Sequence, residues 1–136
     1  LCWKGKEKEK NIPIINLEKL LNFTSKSGFE TTLLGDEKIK LKNKDFKNLS
    51  GLTTLSEAMK IIDKTDILIS VDTGLLHYSV SKKKVNIALV AHRYELAIWY
   101  PFYSDTYLIY DFFSKISLRS KLNKDMINNE IKSIFN

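Results

Sequence analysis

Cysteine is nearly absent from the sequence: Cys2 is the only one. No internal disulfide can form, and a reducing compartment is the simpler expectation. Arginine is also scarce. Of 22 basic residues only Arg93 and Arg119 are arginines, whereas nucleic-acid readers lean on arginine for bidentate contacts. The tyrosines and phenylalanines fall in strand and core stretches instead of alternating with a basic stripe, which also argues against a nucleic-acid binder. No apolar run approaches the roughly 18 residues of a membrane span. There is no Gly-x-Gly-x-x-Gly and no Gly-Lys-Ser/Thr pair, which argues against a typical dinucleotide fold or P-loop. The first residues carry no signal-peptide pattern. Because the sequence opens on Leu1 and not Met, we expect a piece of a longer protein that has lost whatever preceded it.

What is present fits one globular domain. The 136 residues are 43% hydrophobic and 28% charged, enough for a real core and too apolar for disorder. The formal charge is +6. Lysine, asparagine and isoleucine are all abundant, as in proteins coded by AT-rich genes, so we read most lysines as solvated surface.

The central stretch is Asp66-Ile67-Leu68-Ile69-Ser70-Val71-Asp72-Thr73-Gly74-Leu75-Leu76-His77. Ile67 to Val71 has the length of a buried strand, Asp72-Thr73-Gly74 breaks it, and a helix to about Lys82 follows. Such a turn presents helix N–H groups and the positive end of the dipole. Gly74 admits a close ligand, and Thr73, Gly74 and His77 share the first turn. The plainer reading of the same residues is a helix capped by Asp72 after an ordinary turn.

Strands and helices alternate around this stretch. Leu1 to Trp3 ends a strand, and Lys4 to Asn11 is a polar loop. A helix follows, with Asn16 as N-cap, Glu18 in the first turn, Leu17, Leu20 and Leu21 as its stripe and Gly28 as its stop. Phe29 to Leu34 reads as a strand, and Ile39 to Leu41 as a short strand or a loop. Thr54 and Glu57 form a capping box for a helix through Ile62. Val85 to Val90 and Thr106 to Tyr110 are further strands, separated by Ala91 to Glu95 and the aromatic segment 99–103. Pro101 rules out a helix interior there. Residues 111–123 are irregular, and residues 125–135 form a terminal amphipathic helix. The alternation implies a three-layer α/β domain with a mainly parallel sheet. Ligands of such sheets sit beyond the strands' carboxyl ends. The loops Lys4 to Asn11, Asp72 to Gly74 and Ala91 to Glu95 are rich in donors, which suits a phosphorylated ligand.

The segment from Asp66 to His77, with its Asp-Thr-Gly-x-x-His, resembles the donor-site motif of glycosyltransferase family 9, the heptosyltransferase-like enzymes. It also resembles the related domains of tetratricopeptide-repeat proteins. Leu1-Cys2-Trp3-Lys4-Gly5 is similar to the opening of that family's C-terminal half, Thr54 to Ala58 stands at the family's spacing, and Trp99-Tyr100-Pro101 resembles a segment of the repeat-linked branch. The likeness covers roughly residues 1 to 110. Two departures stand out: Tyr78-Ser79-Val80-Ser81 replaces small residues, and Lys82-Lys83-Lys84-Val85 replaces a Gly-Lys-Pro stop.

The resemblance implies that residues 1–136 are one Rossmann-like domain, the C-terminal half of a GT-B glycosyltransferase, which binds a nucleoside-diphosphate sugar. It places the diphosphate on Asp72, Thr73, Gly74 and His77, with Lys10 of Lys10-Asn11-Ile12-Pro13 as the phosphate lysine. Lys4 and Arg93 are secondary candidates. It implies inverting, metal-independent transfer with no cofactor. The general base comes from an N-terminal domain outside this chain, so we expect no catalytic residue and no transfer by this chain alone. Expected partners are the nucleotide-sugar, the missing acceptor or repeat domain, and a glycan, lipid-glycan or protein acceptor, with no nucleic acid and no transmembrane segment. The expected location is cytoplasmic, with the inner face of the membrane as a variant. The alternative is a catalytically inactive interaction module of a repeat protein that keeps the fold.

Overall fold

Alternating side chains along a strand go to opposite faces. In the computed structural model, which describes residues 1–6, 8–90 and 106–110, the two faces build two separate cores. Leu1, Trp3, Leu33, Val71, Ile87 and Leu89 pack on one face with Leu17, Leu20 and Leu21 of helix α1, Ile14–Lys26. Cys2, Leu34 and Leu68 pack on the other with Ala58 and Ile62 of helix α2, Leu55–Asp63. Leu75 and Tyr78 of helix α3, Gly74–Ser81, join that second core. The result is three layers, helix on sheet on helix, as the alternation of elements requires.

Among the described residues every strand pairing is parallel. Strand β1, Thr32–Leu33, pairs with β2, Lys47–Asn48. Strands β3, Ile67–Val71, β4, Val85–Val90, and β5, Thr106–Tyr110, pair in that order. Cys2 joins the two groups, bridging Leu34 on one side and Ser70 on the other. Its amide donates to the Ile69 carbonyl at 2.8 Å, and the Leu34 amide donates to the Leu1 carbonyl at 2.8 Å. Across the sheet the strands therefore run third, second, first, fourth, fifth and sixth by their place in the chain. That is the Rossmann order, and it reverses between the Cys2 segment and β3.

Local chemistry explains most boundaries. Thr54 and Glu57 form the expected capping box at α2. Gly28, at φ 83°, ends α1: its amide donates to the Ser25 carbonyl and that of Phe29 to Thr24, the Schellman pattern. Three expectations need correction. Helix α1 starts at Ile14 with Pro13 in the N-cap position, so Asn16 lies inside it and Glu18 is beyond its first turn. Pro13 already has a helix-compatible φ of −55°, and Ile12 is fixed just before it, buried and donating to the Trp3 carbonyl at 2.9 Å. The strand expected over Phe29 to Leu34 shrinks to β1 and the Leu34 bridge. Of the two readings of Ile39 to Leu41 the loop holds, and the chain pairs instead at Lys47–Asn48. Helix α3 is capped by Thr73, not Asp72.

The expected loop at Ala91 to Glu95, the aromatic segment 99–103, the irregular stretch 111–123 and the helix at 125–135 lie outside the described residues. No helix among the described residues is long and apolar enough to cross a membrane.

Candidate functional site

At the reversal point of the strand order lies a cleft of about 480 Å³. Its walls are the loop after Cys2, the end of β1 at Gly35 and Asp36, the start of α2, and the turn from β3 into α3. A diverging pair of strands opens such a crevice because their crossover connections leave on opposite faces of the sheet.

The turn Asp72-Thr73-Gly74 forms the floor. Thr73 is the N-cap of α3, and its Oγ1 accepts from the Leu76 amide at 3.3 Å. The buried Ser70 hydroxyl lies 3.3 Å from the Thr73 hydroxyl and donates to the Val71 carbonyl at 2.8 Å. The amides of Gly74 and Leu75, the other donors of the first turn, have no capping side chain. An alanine Cβ at Gly74 would meet no protein atom within 4 Å, and Gly74 does not have a positive φ. The fold itself does not call for glycine there. Gly35 differs: a Cβ would stand 2.5 Å from Trp3 Nε1 and 2.7 Å from Ser50 Oγ.

Asp72 is diverted from capping by Lys10 and His77. Lys10 Nζ lies 3.1 Å from its Oδ2 and His77 Nε2 3.3 Å from its Oδ1. The first loop is pressed onto this turn at Gly5, where a Cβ would come within 3.2 Å of the Asp72 carbonyl oxygen. Lys10, Asp72, Thr73, Gly74 and His77 are thus brought together from two segments far apart in sequence. Lys4 is held across the cleft, pairing with Glu37 at 2.7 Å and Asp36 at 3.1 Å, and those carboxylates raise its pKa above the ordinary lysine value. Lys10 sits beside the cleft, whereas Lys4 and Lys6 line it. Arg93 lies outside the described residues.

The sequence reading missed Asp36. It follows the second strand of a Rossmann order, where an acidic residue commonly meets a ribose hydroxyl; the Gly35-Asp36 break after Leu34 was the available signal. Cys2 lines the cleft too, but it is buried and bonded toward Ser70, and desolvation raises its thiol pKa, so it is not a nucleophile. Among the described residues no group of three His, Cys, Asp or Glu side chains is arranged to hold a metal ion.

The sequence model of glycosyltransferase family 9 (heptosyltransferase) matches residues 1–98. The fold is similar to the structure of E. coli ADP-heptose LPS heptosyltransferase II, with a TM-score of 0.70 and 18% identity over 95% of this chain and 46% of that one. It is also similar to the glycosyl transferase family 9 structure from Veillonella parvula DSM 2008, with a TM-score of 0.63 and 16% identity over 92% of this chain and 36% of that one. No curated protein matches. At these identities the likeness shows the fold, an α/β domain with a parallel sheet like that of GT-B heptosyltransferases. The chain spans less than half the length of either structure.

Proposed function

The chain belongs to glycosyltransferase family 9, and from that premise we propose that its cleft binds the nucleoside-diphosphate sugar donor of a glycosyl transfer. The carrying observation is Gly74. It begins α3 at the floor of the cleft, leaves open space where a Cβ would be, and has no backbone strain to explain it. A diphosphate fits that space, with first-turn amides and the helix dipole in front of it and Lys10 alongside.

In this reading the amides of Gly74 and Leu75, the Thr73 hydroxyl and Lys10 stabilise the charge that grows on the leaving diphosphate. That electrostatic work needs no metal. Asp72 holds Lys10 and His77 at the rim, one on each carboxylate oxygen. Asp36 or Glu37, at the end of β1, accepts from the ribose. Transfer with inversion also requires a base for the acceptor hydroxyl, and a second domain supplies it. Residues 1–136 act as a single donor-binding domain of a longer, cytoplasmic enzyme, binding donor without transferring it.

Calorimetric titration with ADP, UDP and GDP tests this. Saturable binding of one nucleotide, lost in Gly74→Val and Lys10→Ala, is the expected result. Binding that survives both variants moves the diphosphate elsewhere. The second reading, an inactive module linked to tetratricopeptide repeats, is favoured only by Trp99-Tyr100-Pro101; a folded full-length protein that binds no nucleotide would select it.

A further inference from the structure

The segment Lys38 to Lys47 lies along α1, away from the cleft's floor. Its exposure alternates: Lys38, Lys40, Lys42 and Lys44 face water, while Ile39 and Leu41 turn inward and pack on the core beneath α1. Phe46 also packs inward and Lys47, in edge strand β2, faces out. The segment is tied to α1 by Glu18, which accepts from the Lys42 amide at 3.0 Å, and by Asn43, which donates to Asn22 at 2.6 Å. Among the described residues none of these five ammonium groups meets a carboxylate within salt-bridge distance. Lys4 and Lys10, by contrast, are both paired. Asp45 is the single acid within the row.

A second observation falls beside the first. Ile14 and Ile15 are 54% and 68% exposed. They sit one turn before Glu18 on α1, so they share its side of the helix, the side on which Glu18 holds the Lys42 amide. Two branched aliphatic side chains in water next to a row of unpaired ammonium groups combine apolar insertion with attraction to anionic headgroups.

We propose that Lys38, Lys40, Lys42, Lys44 and Lys47, with Ile14 and Ile15, form a docking face for an anionic lipid bilayer. Lysine point charges on flexible stems suit a diffuse, mobile layer of phosphates. Nucleic acid fits less well, because the row presents no arginine fork and its only aromatic, Phe46, packs inward. Edge protection of β2 accounts for Lys47 but not for the exposed isoleucines. The proposal stands without the donor-site reading; together they would bring the cleft to an acceptor carried on a lipid.

Vesicle sedimentation tests it. The chain should pellet with mixed phosphatidylcholine and phosphatidylglycerol vesicles, not with phosphatidylcholine alone, and salt should release it. Each lysine should contribute roughly fivefold in partition. The triple variant Lys40→Gln, Lys42→Gln, Lys44→Gln should therefore lose roughly a hundredfold. The matched triple Lys60→Gln, Lys64→Gln, Lys82→Gln, on the α2 and α3 side, should lose far less. Ile14→Ser with Ile15→Ser should weaken vesicle binding and leave any affinity for duplex DNA unchanged. The proposal is overturned if the chain, shown folded by circular dichroism, ignores anionic vesicles at low salt. Equal loss in the two triples overturns it in favour of net charge alone, and tighter binding to DNA than to vesicles overturns it in favour of nucleic acid.

Discussion

Helices α2 and α3 both begin at the wall of the cleft or its floor, on the same face of the sheet, yet their first turns are built differently. In α2, Thr54 accepts from the Glu57 amide at 3.3 Å while the Glu57 carboxylate accepts from the Thr54 amide at 2.7 Å. The Thr54 amide, with the Thr54 hydroxyl donating to the same carboxylate at 2.8 Å, holds Glu57 below the usual carboxylate range, so a negative charge already sits on this helix end. Its first helical residue is Leu55. In α3 a lone threonine caps, the first turn has no acidic residue, and the first helical residue is Gly74. Both ends carry the same positive dipole. Only α3 leaves donors and space for a ligand to use it, because α2 has neutralised its own end. A helix N-terminus at a cleft is thus not enough; what distinguishes the two is what the sequence has already put there.

The largest effect should come from filling the space at α3. Gly74→Val should abolish detectable nucleotide binding while stability changes by no more than about 1 kcal/mol, since the position is open and helical. Gly74→Ala should weaken binding about tenfold and raise stability by about 0.5–1 kcal/mol. Calorimetric titration beside thermal melts reads both. A drop in melting temperature that tracks the loss of binding would break the comparison, because it would make Gly74 a structural glycine like Gly35.

Removing the caps should come next. Thr54→Ala and Thr73→Ala should each cost about 1 kcal/mol of stability, read by urea denaturation. Only Thr73→Ala should also lower nucleotide affinity. If Thr54→Ala lowers affinity as much, the two helix ends are not functionally distinct.

The charge on α2 gives a pH test. The folded pKa of Glu57 lies below its unfolded value, so its contribution is present at neutral pH and above the ordinary carboxylate range. It is lost as pH falls through the folded value. Glu57→Gln should flatten that part of the acid limb of the stability curve. Nucleotide affinity at neutral pH should not fall, since the variant removes a negative charge from the cleft's rim.

How far the sequence revealed all this follows from the range of each interaction. Strands β3, β4 and β5 were legible because each is a short apolar run between polar breaks. The start of α2 was legible because its capping box is complete within four residues. Strand β2 was not, since Lys47 and Asn48 carry no apolar signal and their pairing with β1 is set from afar. The Asp-Thr-Gly turn could be found as a motif, yet its cap could not. Asp72 and Thr73 are both good caps by local rules, and the choice is made by Lys10, 62 residues away in sequence. Nor could spacing show that Lys4 spans the cleft to Asp36 and Glu37 while Lys10 rests on Asp72. Exposure of Ile14 and Ile15 was equally hidden, since Ile12 to Ile15 reads as one apolar run and only Ile12 of its isoleucines is buried.

The smallest expected effect tests whether the open end of α3 is coupled to its other end. Helix α3 stops as α1 does: the Lys83 amide donates to the Val80 carbonyl at 2.9 Å and the Lys84 amide to Ser79 at 3.2 Å. In α1 the left-handed residue of this pattern is Gly28, but in α3 it is Lys83, at φ 55°. A lysine Cβ in that conformation costs about 1 kcal/mol, partly offset by the entropy a glycine would lose. Lys83→Gly should therefore stabilise the fold by up to about 1 kcal/mol, read as a higher urea midpoint. Nucleotide affinity should stay constant, because Lys83 is more than two helical turns from Gly74. A gain in stability with lower affinity would mean that strain at the helix's end helps to set the cleft. Gly74 and Lys83 would then be parts of one device, and the contrast between α2 and α3 would extend along the whole helix instead of its first turn.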